Sequence, residues 1–217
     1  MERLLVMYKE GFGNIPNKDK VRYMLEEGFG HKEGKWVIHA HLIGKTAEKI
    51  AKELGLDSDI AYACGSLHDI AKAYSHEGMA HMMEGYRILR FESYFFPARL
   101  ALVHGFVDFN IDFYHGEDNL KEKDRDFLEN FLKKHYQTEY DRLIILLDNL
   151  IKYEYMGLEE REKARKIDPS QKENREKRME ILRKMEMDLS NRLKKPIKDY
   201  LPRPRYYKFP YNLFKKD

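Results

Sequence analysis

The sequence predicts an all-α helical bundle, followed by a charged amphipathic helix and an extended tail at the carboxyl end. Three observations lead there. Apolar residues recur at helical rather than alternating spacing along most of the chain. Capping residues, glycines and prolines fall between those stretches. No alternating run is long enough to read as a useful strand. At 217 residues the chain can bury one full core.

Asn17 is placed to cap a first helix through Glu27, which the Gly28/Gly30 pair is expected to end. The stretch WVIHAHLIGKTAEKIAKELG follows, with Val37, Ile43, Ala47, Ile50, Ala51 and Leu54 recurring as its apolar positions and Gly55 as its stop signal. Asp57 or Ser58 starts DSDIAYACGSLHDIAKAY, read as one helix with small residues on its packed face. A further helix is expected from Glu77 to about Arg90, and another from Pro97, a position proline favours, to near Gly105. GFVDFNIDFYHGEDN holds no steady period and reads as a loop or lid. EKDRDFLENFLKKHY and TEYDRLIILLDNLIKYEYMG complete the bundle. The second is apolar on nearly all sides around Leu143, Ile144, Ile145, Leu147, Leu150 and Ile151, which makes it the central helix.

The chain divides into residues 1–158, the bundle, and 159–217, a basic helix and arm. The first part holds 21 Lys/Arg against 26 Asp/Glu, net −5, and the second 19 against 11, net +8. An acidic body with a basic appendage argues against a nucleic-acid binder that uses the whole protein, while the appendage could touch an anionic surface. Beyond Pro169 one stripe of Ile181 or Leu182, Met185, Leu189 and Leu193 defines an amphipathic helix, expected to dock on the body or on a second copy in a homodimer. The end, PIKDYLPRPRYYKFPYNLFKKD, has too many prolines for a helix and reads as an extended aromatic arm, packed on the body or bound to a partner. Cys64 is the single cysteine, so neither an intramolecular disulfide nor a thiolate zinc cage can form. No apolar run approaches membrane-spanning length and the amino terminus lacks a secretory pattern, so a cytoplasmic protein is expected.

The chemistry is carried by histidines and buried carboxylates. His39 falls on the core side of its helix, whereas His41 is turned about 200° away. His68 and Asp69 stand side by side among Leu67, Ile70 and Ala71, and Asp148 lies in the most apolar helix. A buried carboxylate without a partner costs several kcal/mol, so Asp69 and Asp148 both demand a cation or strong donors. Imidazoles with carboxylates suit a divalent ion such as iron, manganese, zinc, cobalt or nickel, with water completing the shell.

The ordered set His39, SLHDIAK at 66–72 and LLDNL at 146–150 resembles the HD-domain superfamily of metal-dependent phosphohydrolases, over about residues 36–156. The resemblance implies a helical domain with one or two divalent metals (iron, manganese, nickel, cobalt, zinc or magnesium), His39, His68, Asp69 and Asp148 matching the ligands of the first. HMMEGYRIL and LALVHG are similar to the segments that supply a second metal in dinuclear members, which adds His81 and His104 with Asp69 bridging. Gly105 and the lack of a Gly-Tyr-Pro tripeptide disfavour the cyclic-dinucleotide phosphodiesterase branch. There is some likeness to the branch that symmetrically cleaves diadenosine tetraphosphate, although LDNLIKYEYMG does not match it.

The activity implied is hydrolysis of a small phosphate ester such as a nucleotide by a metal-activated water. Asp69 is the expected ligand and orienter of that water, and Lys72 the expected phosphate contact. The alternative is a catalytically silent metal-binding or nucleotide-sensing module whose basic tail meets a partner. His76, Glu84 and Arg87 are weaker substrate contacts. Phe106, Phe109, Phe113 and Tyr114 either stack on a base or pack on the bundle, and His31, His41, His115 and His135 read as structural or solvent-facing.

Overall fold

The computed structural model describes residues 5–165 and 172–202. It opens with a departure from the sequence reading. Strand β1 (Val6–Lys9) pairs antiparallel with β2 (Gly13–Pro16), Lys9 opposite Gly13. Four residues per strand are too few to generate a visible alternation. The turn depends on Gly11 and Gly13, both near φ +75°, where a β-carbon would be strained. Ile15 of β2 is fully buried and anchors the hairpin in the core.

Helix α1 (Lys18–His31) is capped by Asn17, whose side chain accepts from Lys20 N at 2.9 Å. It runs through Gly28 and Gly30 rather than ending at Glu27. Gly28 serves packing instead of termination: a β-carbon there would come within 2.9 Å of Ala73 Cβ and 3.1 Å of the Trp36 ring. Helix α2 (Trp36–Leu54) ends at Gly55 in the left-handed conformation, as its sequence demands. Helix α3 (Ser58–Leu67), capped by Asp57, crosses α2 where Gly44 and Gly65 meet. A β-carbon on Gly65 would approach the Gly44 backbone to 3.0 Å, and one on Gly44 would overlap Ser66 Oγ. Neither position has room for a side chain.

The helix expected to continue to Tyr74 stops at Leu67. Asp69 leaves helical geometry at φ −106°, ψ 16°, and a 3-10 turn covers Ile70–Tyr74. Helices α4 (Gly78–Phe91) and α5 (Phe95–Val103) pack together, α5 starting two residues before Pro97 because proline is tolerated throughout the first turn. The aperiodic segment after Gly105 forms two short 3-10 turns and buries Phe106, Val107 and Phe113. Helix α6 (Glu122–Lys134) lies on the surface. Helix α7 (Glu139–Leu150) begins with a capping box between Thr138 and Asp141 and buries Leu143, Ile144, Ile145, Leu147 and Leu150 as expected.

Helices α8 (Leu158–Lys163) and α9 (Lys172–Arg192) return over the bundle. Leu182, Met185, Leu189 and Leu193 are buried in the same core cluster as α7, so the stripe on α9 is covered by the body of its own chain. Pro169 and the aromatic arm beyond Pro202 lie outside the described residues. Among the described residues no helix is long and apolar enough to cross a membrane.

Candidate metal centre

Four imidazoles and one carboxylate converge beneath the break after α3. The close crossing of α2 on α3 brings His39 Nε2 to 3.3 Å from His68 Nε2. On the other side, α4 and the end of α5 bring His81 Nε2 to 3.3 Å from His104 Nε2. The backbone turn at Asp69 sends its carboxylate between the two pairs. Oδ2 lies 3.7 Å from His39 Nε2 and 3.5 Å from His68 Nε2, while Oδ1 lies 3.1 Å from His81 Nε2 and 3.5 Å from His104 Nε2. One carboxylate thus offers one oxygen to each histidine pair.

The tautomers follow from the outer nitrogens. His39 Nδ1 meets Lys152 O at 2.9 Å, His68 Nδ1 meets Gly65 O at 2.7 Å, His104 Nδ1 meets Ala101 O at 2.9 Å, and His81 Nδ1 meets Gly78 O. A carbonyl only accepts, so each Nδ1 carries the proton and donates, leaving each Nε2 as a lone pair aimed inward. Two lone pairs at 3.3 Å repel unless a cation lies between them or one ring is protonated. All five groups are buried, and Asp69 Oδ1 accepts no well-directed hydrogen bond among the described residues. His39, His68 and Asp69 form one group that can hold a divalent ion, and Asp69, His81 and His104 a second, the donor atoms of each lying within 4.8 Å of one another. The donor set is the imidazole–carboxylate kind such ions take.

Asp148, the fourth ligand expected for the first metal, is not in either group of mutually close donors but faces the first of them. Its Oδ1 is 3.0 Å from His39 Nε2, and its side chain also faces Arg161 at 3.8 Å and Arg165 at 3.9 Å. Burial alone would push its carboxyl up, but the His39 ring, when its Nε2 is also protonated, and Arg161 hold it well below the usual carboxylate range. Asp69 obeys the same balance: burial opposes its charge, and Lys72 with the surrounding imidazoles overcomes that. Lys72, expected as a phosphate contact, is bonded to Asp69 Oδ2 at 2.6 Å while still lining the cavity. Burial keeps His81 below the ordinary histidine range, which favours the neutral ring that a metal ion needs. Another buried carboxylate, Asp141, is explained by its capping box and by Arg99.

The centre opens into a cavity of about 160 Å³ whose arginines the sequence reading missed. Arg161, Arg165 and Arg178 line it together with Asn149, Tyr114 and His115. Arg178 is 2 % exposed and donates to Glu162 at 2.9 Å and to Asn149, fixing α9 to α7 and α8. The His115 side chain is 1 % exposed and lies 3.3 Å from Glu162, so it is neither solvent-facing nor remote from the site. Arg178 did leave a signal, since it sits four residues before Leu182 on the apolar stripe of α9. Of the four aromatics after Gly105, Tyr114 reaches the cavity while Phe106 and Phe113 are core. Glu84 and Arg87 pair with each other on the surface, Arg87 also with Asp124, and His76 is absent from the cavity lining. His31 packs on Tyr74 and His135 on Phe131, away from the site. Cys64 is buried, which pushes its thiol up and leaves it unreactive.

A helical domain with paired His/Asp groups around a shared aspartate defines a class of metal-site proteins. The model of the HD domain matches residues 36–152, more than half of the chain, and the chain belongs to that family. HD domains bind divalent metals, and the two groups above can hold them. No curated protein and no solved structure matches the chain.

Proposed function

We propose that the chain is a metal-dependent phosphohydrolase that cleaves a small phosphate ester, such as a nucleotide, through a metal-activated water. The observation that carries this reading is the position of Asp69, shared between two histidine pairs at the floor of a cavity lined by Lys72 and three arginines. Divalent ions in such a setting lower the pKa of bound water toward neutrality and neutralise phosphoryl oxygens. The protein's part is preorganisation: four backbone carbonyls lock the imidazoles so that every Nε2 points inward. Lys72 keeps Asp69 ionised and adds a cation beside the site of reaction. Tyr114, at the cavity wall, is the aromatic available to a base or other group outside it.

The test is a hydrolysis screen with manganese, iron, cobalt or nickel over nucleotides, diadenosine tetraphosphate and generic phosphate esters. Metal-dependent phosphate release that falls at least a hundredfold in Asp69→Ala supports the reading. Turnover by that variant equal to the wild type, or no turnover by the loaded wild type on any substrate, refutes it.

A further inference from the structure

We propose that Arg161, Arg165 and Arg178, all outside the family-matched region, form a phosphate-binding wall that selects substrates presenting a dianionic terminal phosphate over internal phosphodiesters. This rests on the phosphohydrolase reading for the identity of the floor of the cavity, but the wall is argued from its own geometry. Four cations, Lys72 and the three arginines, line the cavity; Glu162 behind it answers Arg178 and Arg165, and the lining itself offers two carboxylates, Asp69 and Asp148. Both carboxylates also face the imidazoles of the candidate metal centre. The cations therefore exceed their partners in an enclosed space, where uncompensated charge is costly and a multiply charged anion is the natural complement.

The pairing distances say which donors are spare. A structural buried ion pair is short, and Arg178 to Glu162 at 2.9 Å fits that description. Arg161 and Arg165 approach Asp148 only to 3.8 and 3.9 Å, Arg165 comes no nearer than 3.6 Å to Glu162, and the hydrogen bond from Arg161 Nε to Asp148 O is long at 3.4 Å. Their guanidiniums are loosely held. Arg178, although clamped by Glu162 and Asn149, has a buried Nε with no hydrogen-bond partner among the described residues. Planar guanidiniums with free donors suit phosphoryl oxygens better than any other common ligand.

Size and charge then choose the substrate class. The cavity, about 160 Å³, is smaller than the roughly 300–1,000 Å³ of pockets that enclose a drug-sized ligand. It admits a phosphate head group and leaves the remainder of the substrate at its mouth. A phosphodiester brings one negative charge and a second substituent to accommodate, whereas a terminal phosphate brings two charges and one substituent.

Calorimetric titration of inorganic phosphate and of dimethyl phosphate into the full-length, manganese-loaded chain tests this directly. Phosphate is expected to bind at least tenfold more tightly than the diester. R161Q and R165Q are each expected to weaken phosphate about tenfold while metal content is kept, with partial recovery in R165K. Their side chains are 16 and 17 % exposed, so these substitutions are milder than one at Arg178; R178Q is left out because it would strand buried Glu162. Wild-type phosphate affinity in both variants, or equal binding of the two probes, overturns the proposal. Arginine-dependent phosphate binding without hydrolysis of any ester would end the phosphohydrolase reading and leave the wall standing. Hydrolysis with arginine-independent binding would do the reverse.

Discussion

His39 Nε2 and His68 Nε2 face each other at 3.3 Å, each on a ring whose Nδ1 donates to a backbone carbonyl. The relationship is unfavourable without a cation, so metal should stabilise the fold. At a free metal concentration about 100 times the dissociation constant, linkage adds about 2.7 kcal/mol. For a chain of this size that corresponds to a rise in melting temperature of about 5–10 °C. Thermal unfolding of manganese-loaded and chelator-treated protein checks it, and coincident curves would count against the site.

The shared carboxylate predicts a stoichiometry. His81→Ala or His104→Ala should remove one ion per chain and leave the His39/His68 group loaded, whereas Asp69→Ala should deplete both, since its two oxygens face different pairs. Metal content by mass spectrometry reads this directly. Equal depletion by all three substitutions would mean the two groups are one site.

Gly65 lies against Gly44 where α2 crosses α3, and its missing β-carbon sets how near His39 comes to His68. Gly65→Val should cost about 1–3 kcal/mol from overpacking. It should also reduce metal affinity, although residue 65 carries no ligand. Denaturant unfolding and metal titration of this variant give the two numbers.

Acid should unfold the protein partly through Glu162. Burial opposes its charge, but His115, Arg178 and Arg165 hold its carboxyl down to about 2 from an ordinary 4.5. A depressed folded-state value means stability that is complete above about pH 4.5 and is lost as pH falls toward 2. The amount is on the order of 3 kcal/mol. Glu162→Gln should flatten the stability profile across that window, and at neutral pH should cost about 3–5 kcal/mol by stranding Arg178. Urea unfolding between pH 2 and 7 for both proteins is the measurement.

Leu182 is fully buried where α9 meets the bundle. Leu182→Ala should destabilise the chain by about 2–5 kcal/mol in a single cooperative transition. Loss of α9 alone, with the rest unfolding at the wild-type denaturant concentration, would show that the helix is a separate unit.

The helical class, the caps at Asn17 and Asp57, the stop at Gly55 and the central place of α7 were legible because each depends on local spacing or on one residue's chemistry. The hairpin was not, because two four-residue strands leave no period to read. Gly28 misled for a related reason: a glycine that ends a helix and one that admits a neighbour look identical in one dimension.

For the site, the sequence by itself picked out His39, His68, Asp69 and Asp148, histidines and carboxylates set among apolar residues where something charged must answer them, and the family likeness added His81 and His104. Tertiary structure decided the rest. It broke the helix at Asp69 so that one carboxylate lies between two pairs, and it set Asp148 against His39 with the arginines on its other side. It also made part of a segment that reads as a basic amphipathic helix into a cavity wall, because Arg161, Arg165 and Arg178 reach the centre only once α8 and α9 fold back over α7. Spacing along a chain fixes the face a side chain shares with its neighbours; which distant face it meets is set by how the helices pack.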